Sequence, residues 1–345
     1  MKRLLILLLI CCLLFIPAPA LVHAASGGVT AQSKGGNTSP TIDAITLVES
    51  GSENEVSAMT PLTAYRVKVT VGDINTLDDI QEIEFHIYYG SDGSNWDADQ
   101  LAIFIWTKSF GWSMENGSAV TSWGLIPVDC IVPPDFSGTT GDWYLEFKPG
   151  KLARATAIQD WFCAATVRDE NKSGSKTWTT GASMSAYSEV TFDSAGIIFG
   201  DVDTGIEPGM TGYITDPPSH YLTTLITSNA KYAIGVKSDT SWTDGGLNSI
   251  SLSGEKGVPD GPAEFSLEID NQRKGGGSPG QPKKPDAVTD TNTTIKGYNN
   301  VSRVTTGPED SEGTNDHTMY MAMSLSLEGI QEVVYSGTIT FTITN

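Results

Sequence analysis

The chain has 345 residues, with 41 acidic against 21 basic side chains and a formal net charge of −20. This balance excludes a nucleic-acid partner, because binding to phosphate requires Lys and Arg to displace counterions. The hydrophobic content of 39% is too high for a disordered chain, and the length predicts one or two globular domains.

The first residues have the pattern of a secretory signal peptide. Lys2 and Arg3 precede an unbroken apolar run of 13 residues from Leu4 to Ile16, and a cleavage site follows Ala24. The run is short compared with the roughly 20 residues needed to cross a bilayer. We therefore expect residues 1–24 to be removed, no membrane span in the mature chain, and a secreted or cell-surface location.

Residues 25–40 are rich in Gly, Ser and Thr and are predicted to form a flexible leader. From residue 41 onward apolar and polar residues alternate, which is typical of half-buried antiparallel strands. The inward-facing residues predicted in the first half are Tyr65, Val67, Val69, Val71, Ile83, Phe85, Ile87, Tyr89, Trp143, Leu145, Phe147, Trp161, Cys163, Ala165 and Val167.

Two cysteines remain after the signal peptide, Cys130 and Cys163. Disulfides persist in an oxidising compartment, so export favours a bridge between these two residues. The inward direction predicted for Cys163 places that bridge in the core. Two separate buried thiols are the alternative.

Carboxylates crowd three of the predicted loops, and calcium takes about six to eight oxygen ligands from short acidic segments of this kind. The candidate ligands are Asp73, Asn75, Asp78 and Asp79 in the first loop, Asp92, Asp97 and Asp99 in the second, and Asp201 and Asp203 in the third. Asx-rich turns that cap strand ends explain the same pattern without a metal. Calcium is the one cofactor that the sequence suggests, and both interpretations remain open.

Three tryptophans lie in stretches that we predict to be loops: Trp96, Trp112 and Trp178. Exposed indole rings stack on flat apolar ligand faces, so this set is a candidate glycan-binding surface. Packing of the rings over the ends of a sandwich is the alternative.

A Gly-rich passage after Phe192 predicts a domain boundary between residues 41–192 and residues 193–345. Residues 271–286 have no periodicity and are predicted to form a mobile loop. The inward-facing residues predicted in the second half are Tyr232, Ile234, Val236, Phe265, Leu267, Ile269, Met319, Met321, Met323, Leu325, Leu327, Ile339, Phe341 and Ile343. The fold class is therefore all-β, with two antiparallel β-sandwich domains that are Ig-like or jelly-roll in their connections.

Several stretches carry a resemblance to known proteins. Residues 69–89, residues 142–150, Trp161 and residues 167–169 resemble Ig-like domains of archaeal and bacterial cell-surface proteins. Residues 198–203 and 335–345 are similar to the β-sandwich modules that end many secreted surface proteins. The resemblance implies an envelope, filament or adhesive role, and it brings no catalytic residues.

The sequence also shows no catalytic motif in the context that the motif requires. Its one G-x-S-x-G match, residues 276–280, lies in the aperiodic stretch 271–286 and not at a strand-to-helix turn. H-E-x-x-H is absent from the sequence, and His86, His220 and His317 are far apart. We therefore expect a non-enzymatic structural or adhesive protein whose partners are copies of itself or other envelope proteins. The alternatives are an extracellular carbohydrate-binding protein that uses the loop tryptophans and, third, a hydrolase with paired carboxylates.

Two alternating segments are candidates for self-association. Residues 41–47 and residues 338–344 each have the composition of a strand that could pair with the sheet edge of a neighbouring copy. Ordinary strands within the chain's own sandwiches are the alternative for both.

Overall fold

The structure, a computed structural model, describes residues 36–90, 100–115, 122–194, 196–199, 221–257, 259–273, 282–304, 314–326 and 328–345. The fold is all-β, as predicted. Its strands are β1 (Thr41–Glu49), β2 (Ala58–Met59), β3 (Tyr65–Gly72), β4 (Glu82–Tyr89), β5 (Leu101–Thr107), β6 (Gly111–Met114), β7 (Gly124–Leu125), β8 (Thr140–Lys148), β9 (Thr156–Arg168), β10 (Ser173–Met184), β11 (Ser188–Phe192), β12 (Tyr221–Ser228), β13 (Ala233–Ser238), β14 (Ser241–Thr243), β15 (Ser249–Leu252), β16 (Glu264–Asp270), β17 (Asp286–Val288), β18 (Thr293–Thr294), β19 (Thr314–Leu325) and β20 (Ile339–Thr344). Short 3-10 turns occur at Leu77–Asp79 and Pro127–Asp129.

The first sandwich consists of two sheets that share one hydrophobic core. A four-stranded sheet has the order β1-β3-β8-β7, and a six-stranded sheet has the order β2-β10-β9-β4-β5-β6. Neighbouring strands are antiparallel except β2, which runs parallel to β10. The residues predicted to face inward from β3, β4, β8 and β9 are buried or packed against this core, so the alternation assigned the two faces of these strands correctly.

The second sandwich has a large and a small sheet around a second core. The large sheet has the order β11-β12-β19-β16-β15-β14, with β17 also paired to β16, and the small sheet has the order β18-β13-β20. Inward-facing residues of β13, β16 and β19 are buried as predicted. Those of β20, Ile339, Phe341 and Ile343, are only half-buried, which follows from the position of β20 at the end of the small sheet.

The strand before the predicted boundary belongs to the second sandwich. β11 pairs antiparallel with β12 along its whole length, so residues 188–192 belong to the large sheet of the second sandwich. Residues 37–345 form one compact unit, and the division into two domains stays a prediction. Asn229 is buried where the sandwiches meet, and its side-chain amide donates to Ala153 O at 2.7 Å and to Ser185 O at 3.1 Å.

Some predicted segments fall partly or wholly outside the described residues. These are the signal peptide 1–24, residues 25–35 of the leader and residues 274–281 of the loop 271–286. The described flanks of that loop pair with each other, since Lys283 N donates to Gln272 O at 2.9 Å. No helix among the described residues has the length and apolar character needed to cross a membrane.

Candidate functional site

Four polar residues from separate segments meet at one end of the first sandwich. Asp73 directly follows β3, Asp79 ends the turn Leu77–Asp79, Asp169 directly follows β9, and Asn37 precedes β1. The strand register explains the meeting. Thr41 of β1 pairs with Gly72 of β3, and the first residue of β4 pairs with the last residue of β9. We call Asn37, Asp73, Asp79 and Asp169 the acidic cluster.

The three carboxylates of the acidic cluster are close enough to share one ion. Each offers an oxygen, and these oxygens all lie within 4.8 Å of one another. Asp73 is 3% exposed and Asp169 6% exposed, whereas Asp79 is half-buried. Two oxygens that are both bonded to calcium at about 2.4 Å can be no more than about 4.8 Å apart, so the spacing fits a shared cation.

Backbone and side-chain donors fix part of the acidic cluster. Asp169 Oδ1 accepts hydrogen bonds from the N–H groups of Asn171 and Lys172, each at 2.6 Å, and its Oδ2 accepts from Asn37 Nδ2 at 3.1 Å. Asp73 Oδ1 accepts from Asn75 N at 2.8 Å. Asn37 Oδ1, Asp73 Oδ2 and Asp79 Oδ1 are buried oxygens that accept no hydrogen bond from the part of the chain that the structure describes.

The charges of the acidic cluster are not compensated by nearby cations. Among the described residues, no Lys or Arg forms an ion pair with Asp73, Asp79 or Asp169. Lys172 Nζ donates instead to the backbone carbonyl of Asn37. Burial raises the pKa of Asp79, and the negative charges of Asp73 and Asp169 raise it further.

The acidic cluster only partly matches the predicted calcium ligands. Asp73 and Asp79 are brought together, but Asp78 is exposed and pairs with Lys108 at 3.0 Å. Asn75 Oδ1 accepts from the N–H of Thr38 at 2.8 Å, so its side chain positions the segment before β1. Asp92, Asp97, Asp99, Asp201 and Asp203 lie outside the described residues.

Sequence reasoning missed two members of the acidic cluster. Asp169 lies far from residues 73–79 in the chain, and only the pairing of β4 with β9 brings it beside them. Asn37 was counted as part of the flexible leader. The only local signal for Asp169 is its place at the end of an alternating run.

The predicted disulfide is not formed, because Cys130 and Cys163 are both free thiols. Cys130 follows the turn Pro127–Asp129, and its Sγ accepts a hydrogen bond from Glu146 N at 3.2 Å. Cys163 is buried in the first core. Burial raises the thiol pKa to about 11 for Cys130 and to about 12 for Cys163, so both stay protonated at neutral pH.

Two of the three candidate glycan-binding tryptophans lie in strands, so their prediction as loop residues was wrong. Trp112 is in β6, and its ring centroid lies 5.6 Å from that of Phe85. Trp178 is in β10, opposite Cys163 on β9. Both are partly buried against the first core, and Trp96 lies outside the described residues.

The second candidate site is the outer edge of β20. Ile234 N donates to Tyr298 O at 2.9 Å, away from β20, while Asp239 N donates to Thr338 O at 2.9 Å, toward it. The N–H and C=O groups of successive residues in a strand point to alternate sides. The register Gly235↔Thr342 and Lys237↔Thr340 therefore turns the backbone groups of Thr340 and Thr342 toward β13.

The backbone groups of the apolar residues of β20 consequently point outward. These residues are Ile339, Phe341 and Ile343, and no described strand pairs with them on that side. The ring of Phe192 on β11 packs on the ring of Phe341, with centroids 5.5 Å apart. The edge of β20 is thus a row of backbone groups that no described strand covers, above half-buried apolar side chains.

Comparison with known proteins adds little to this description. No protein-family model matches the chain, and no curated protein matches it. One solved chain, from a structure described as "Chaperone-tip adhesin complex is vital for synergistic activation of CFA/I fimbriae biogenesis", is 7% identical, and the match covers 87% of this chain and 83% of that chain. Its TM-score is 0.22, which is too low for the likeness to bear on function.

Proposed function

We propose that this chain is an extracellular, non-enzymatic structural or adhesive protein of a prokaryotic cell surface that assembles with copies of itself. The observation that carries the proposal is the free edge of β20. Native proteins protect long sheet edges because such edges template pairing with another chain. An edge left open in a strand without charged residues is suited to partner binding.

The sequence of β20 supports pairing with a second β20. Residues 338–344 read Thr-Ile-Thr-Phe-Thr-Ile-Thr in either direction. In an antiparallel pair centred on Phe341, Ile339 of each copy lies opposite Ile343 of the other. The outward backbone groups of these residues can then hydrogen-bond across a two-fold axis, so that the two small sheets become one continuous sheet.

The charge distribution also supports contact at this place. The chain carries a net charge of −20, yet residues 333–345 contain no charged side chain. Two copies that approach elsewhere on an acidic surface repel each other. Residues 333–345 add no side-chain charge to that repulsion.

The test places charges on the outer face of β20. In the two-fold pair Thr340 lies opposite Thr342 of the other copy. In the double variant Thr340→Lys with Thr342→Lys, the lysine at 340 of each copy faces the lysine at 342 of the other copy. These two cross-strand pairs of like charge repel each other and destabilise the dimer. In the matched control, Thr340→Lys with Thr342→Glu, each Lys faces a Glu, and pairing is retained.

Analytical ultracentrifugation over a dilution series measures the outcome. We expect the unmodified chain and the Lys/Glu variant to be dimers or larger, and the Lys/Lys variant to dissociate. A monomeric unmodified chain, or equal association of the two double variants, would contradict pairing through β20.

A further inference from the structure

We propose that Asp73, Asp79 and Asp169, together with Asn37, form a calcium-binding site that fastens the segment before β1 to the first sandwich. This goes beyond the proposed function, since it concerns a different sandwich. The buried oxygens without a described donor, the concentration of negative charge and the all-oxygen ligand set support this site.

The buried oxygens without donors are the first reason. Buried polar atoms are nearly always hydrogen-bonded, so each exception requires an explanation. Asp73 is only 3% exposed. Its Oδ1 accepts a hydrogen bond from Asn75 N, but no described residue donates to its Oδ2. Asp79 Oδ1 and Asn37 Oδ1 share this condition. A cation among these oxygens provides what each of them lacks.

The concentration of negative charge is the second reason. Three carboxylates whose oxygens lie within 4.8 Å repel each other strongly where burial lowers the local dielectric constant. A site of this kind holds either a proton or a metal ion. Three basic side chains on the segments that form the cluster or contact them have other partners: Lys108 pairs with Asp78, Arg168 with Glu82 and Glu84, and Lys172 donates to the carbonyl of Asn37.

The chemistry of the donors selects the metal. All the available atoms are carboxylate or amide oxygens, and the acidic cluster contains no His and no Cys. Oxygen-only sites suit Mg²⁺, Ca²⁺ and Mn²⁺, whereas zinc and copper prefer nitrogen or sulfur. Calcium tolerates irregular geometry with ligands from several loops, while magnesium requires a near-ideal octahedron. Extracellular calcium sites work with dissociation constants of about 0.1–1 mM.

The site would join three parts of the chain that are far apart in sequence: the segment before β1, the loop 73–79 and the loop after β9. Asn37 already donates to Asp169, and Thr38 N donates to Asn75 Oδ1. Calcium would add a bond from Asn37 Oδ1 to the ion that the loops after β3 and β9 also bind. The segment before β1 is therefore expected to become harder to detach when calcium is bound.

Isothermal titration of the full chain with CaCl₂, and separately with MgCl₂, tests the site directly. We expect one saturable calcium site and weaker binding of magnesium. The variant Asp79→Asn preserves the size of the side chain and removes one charged ligand, so we expect it to weaken calcium binding by about tenfold or more. The matched control is Asp78→Asn, one residue away on the surface, which should change the affinity less than about twofold.

Thermal unfolding provides a readout that does not depend on measuring heats. Calcium should raise the melting temperature of the unmodified chain and of Asp78→Asn, but not that of Asp79→Asn. Without calcium, Asp79→Asn should melt higher than the unmodified chain, because it removes charge repulsion. The proposal is wrong if the unmodified chain shows no saturable calcium binding, or if Asp78→Asn loses binding as completely as Asp79→Asn. In the first case the carboxylates share a proton instead.

Discussion

Arg66 and Glu146 form a buried ion pair across β3 and β8, and its removal should be among the most destabilising changes in the first sandwich. Arg66 Nε lies 2.7 Å from Glu146 Oε2, and the two side chains are 10% and 0% exposed. The substitution Arg66→Met keeps much of the apolar stem and removes the charge. Because Glu146 is then left buried without its cation, we expect a loss of about 3–5 kcal/mol in the free energy of unfolding.

Lys68 provides a matched control on the same strand. It pairs with Glu53 at 3.0 Å and with Asp142 at 3.2 Å. Its ammonium group and the guanidinium of Arg66 both lie over the ring of Tyr144, at 5.3 and 5.4 Å. The side chains of Glu53 and Asp142 are 60% and 36% exposed. Lys68→Met therefore breaks two ion pairs whose carboxylates are solvated, and the expected cost is under about 1 kcal/mol for each pair.

Urea unfolding followed by tryptophan fluorescence measures both variants. A third variant, Arg66→Met with Glu146→Met, replaces the whole pair by apolar side chains, and it should recover most of the lost stability. If Arg66→Met costs no more than Lys68→Met, the pair is not effectively buried and the reasoning fails. If the double variant is as unstable as Arg66→Met alone, the unpaired charge of Glu146 is not the cause.

Two further changes follow from single contacts. Burial lowers the pKa of His317, whose Nε2 lies 2.5 Å from Tyr232 Oη, and the charge of Asp316 opposes this shift. The unfolded chain therefore binds more protons than the folded chain, so the free energy of unfolding should fall as the pH drops below about 6.5. Urea midpoints measured across this pH range should change less steeply in His317→Phe. A Cβ on Gly174 would lie 2.0 Å from Pro40 O, whereas a Cβ on Gly124 would meet nothing closer than 3.8 Å. Gly174→Ala should therefore lower the free energy of unfolding by about 1–3 kcal/mol. If Gly174→Ala and Gly124→Ala had the same urea midpoint, this explanation would be contradicted.

Local alternation was sufficient to predict most strands and their faces, because successive side chains in any strand point to opposite faces and the apolar set marks the buried one. Val69 and Trp143 were assigned to the core correctly for this reason. Pairing between strands is not local. The turn signals after Phe192 marked the end of β11 but not the sheet that it joins. Trp112 was predicted to lie in a loop from its neighbours in sequence, Phe110, Gly111 and Ser113. Gly111 does have a φ of 74°, but it is also the first residue of β6.

The candidate sites show the same division. The loop 73–79 was predicted from its carboxylates alone, but Asp169 and Asn37 enter the acidic cluster through strand pairing. The disulfide was predicted from the compartment and the number of cysteines. The disulfide does not form because the structure places the two cysteines on different sheets. Cys130 follows the turn Pro127–Asp129, and its sulfur accepts a hydrogen bond from Glu146 N of the four-stranded sheet. Cys163 lies in β9 of the six-stranded sheet.

The two proposals can be tested independently because β9 separates the regions they concern. Ala155, just before β9, donates its N–H to Asn229 O at the junction with the second sandwich, whereas Asp169 follows the other end of the strand. β9 has 13 residues, and at about 3.3 Å per residue it spans about 43 Å. Asp79→Asn should therefore leave association through β20 unchanged, and Thr340→Lys with Thr342→Lys should leave calcium binding unchanged. If Asp79→Asn did alter association, the part of the first sandwich around the acidic cluster would have to be a contact surface in its own right.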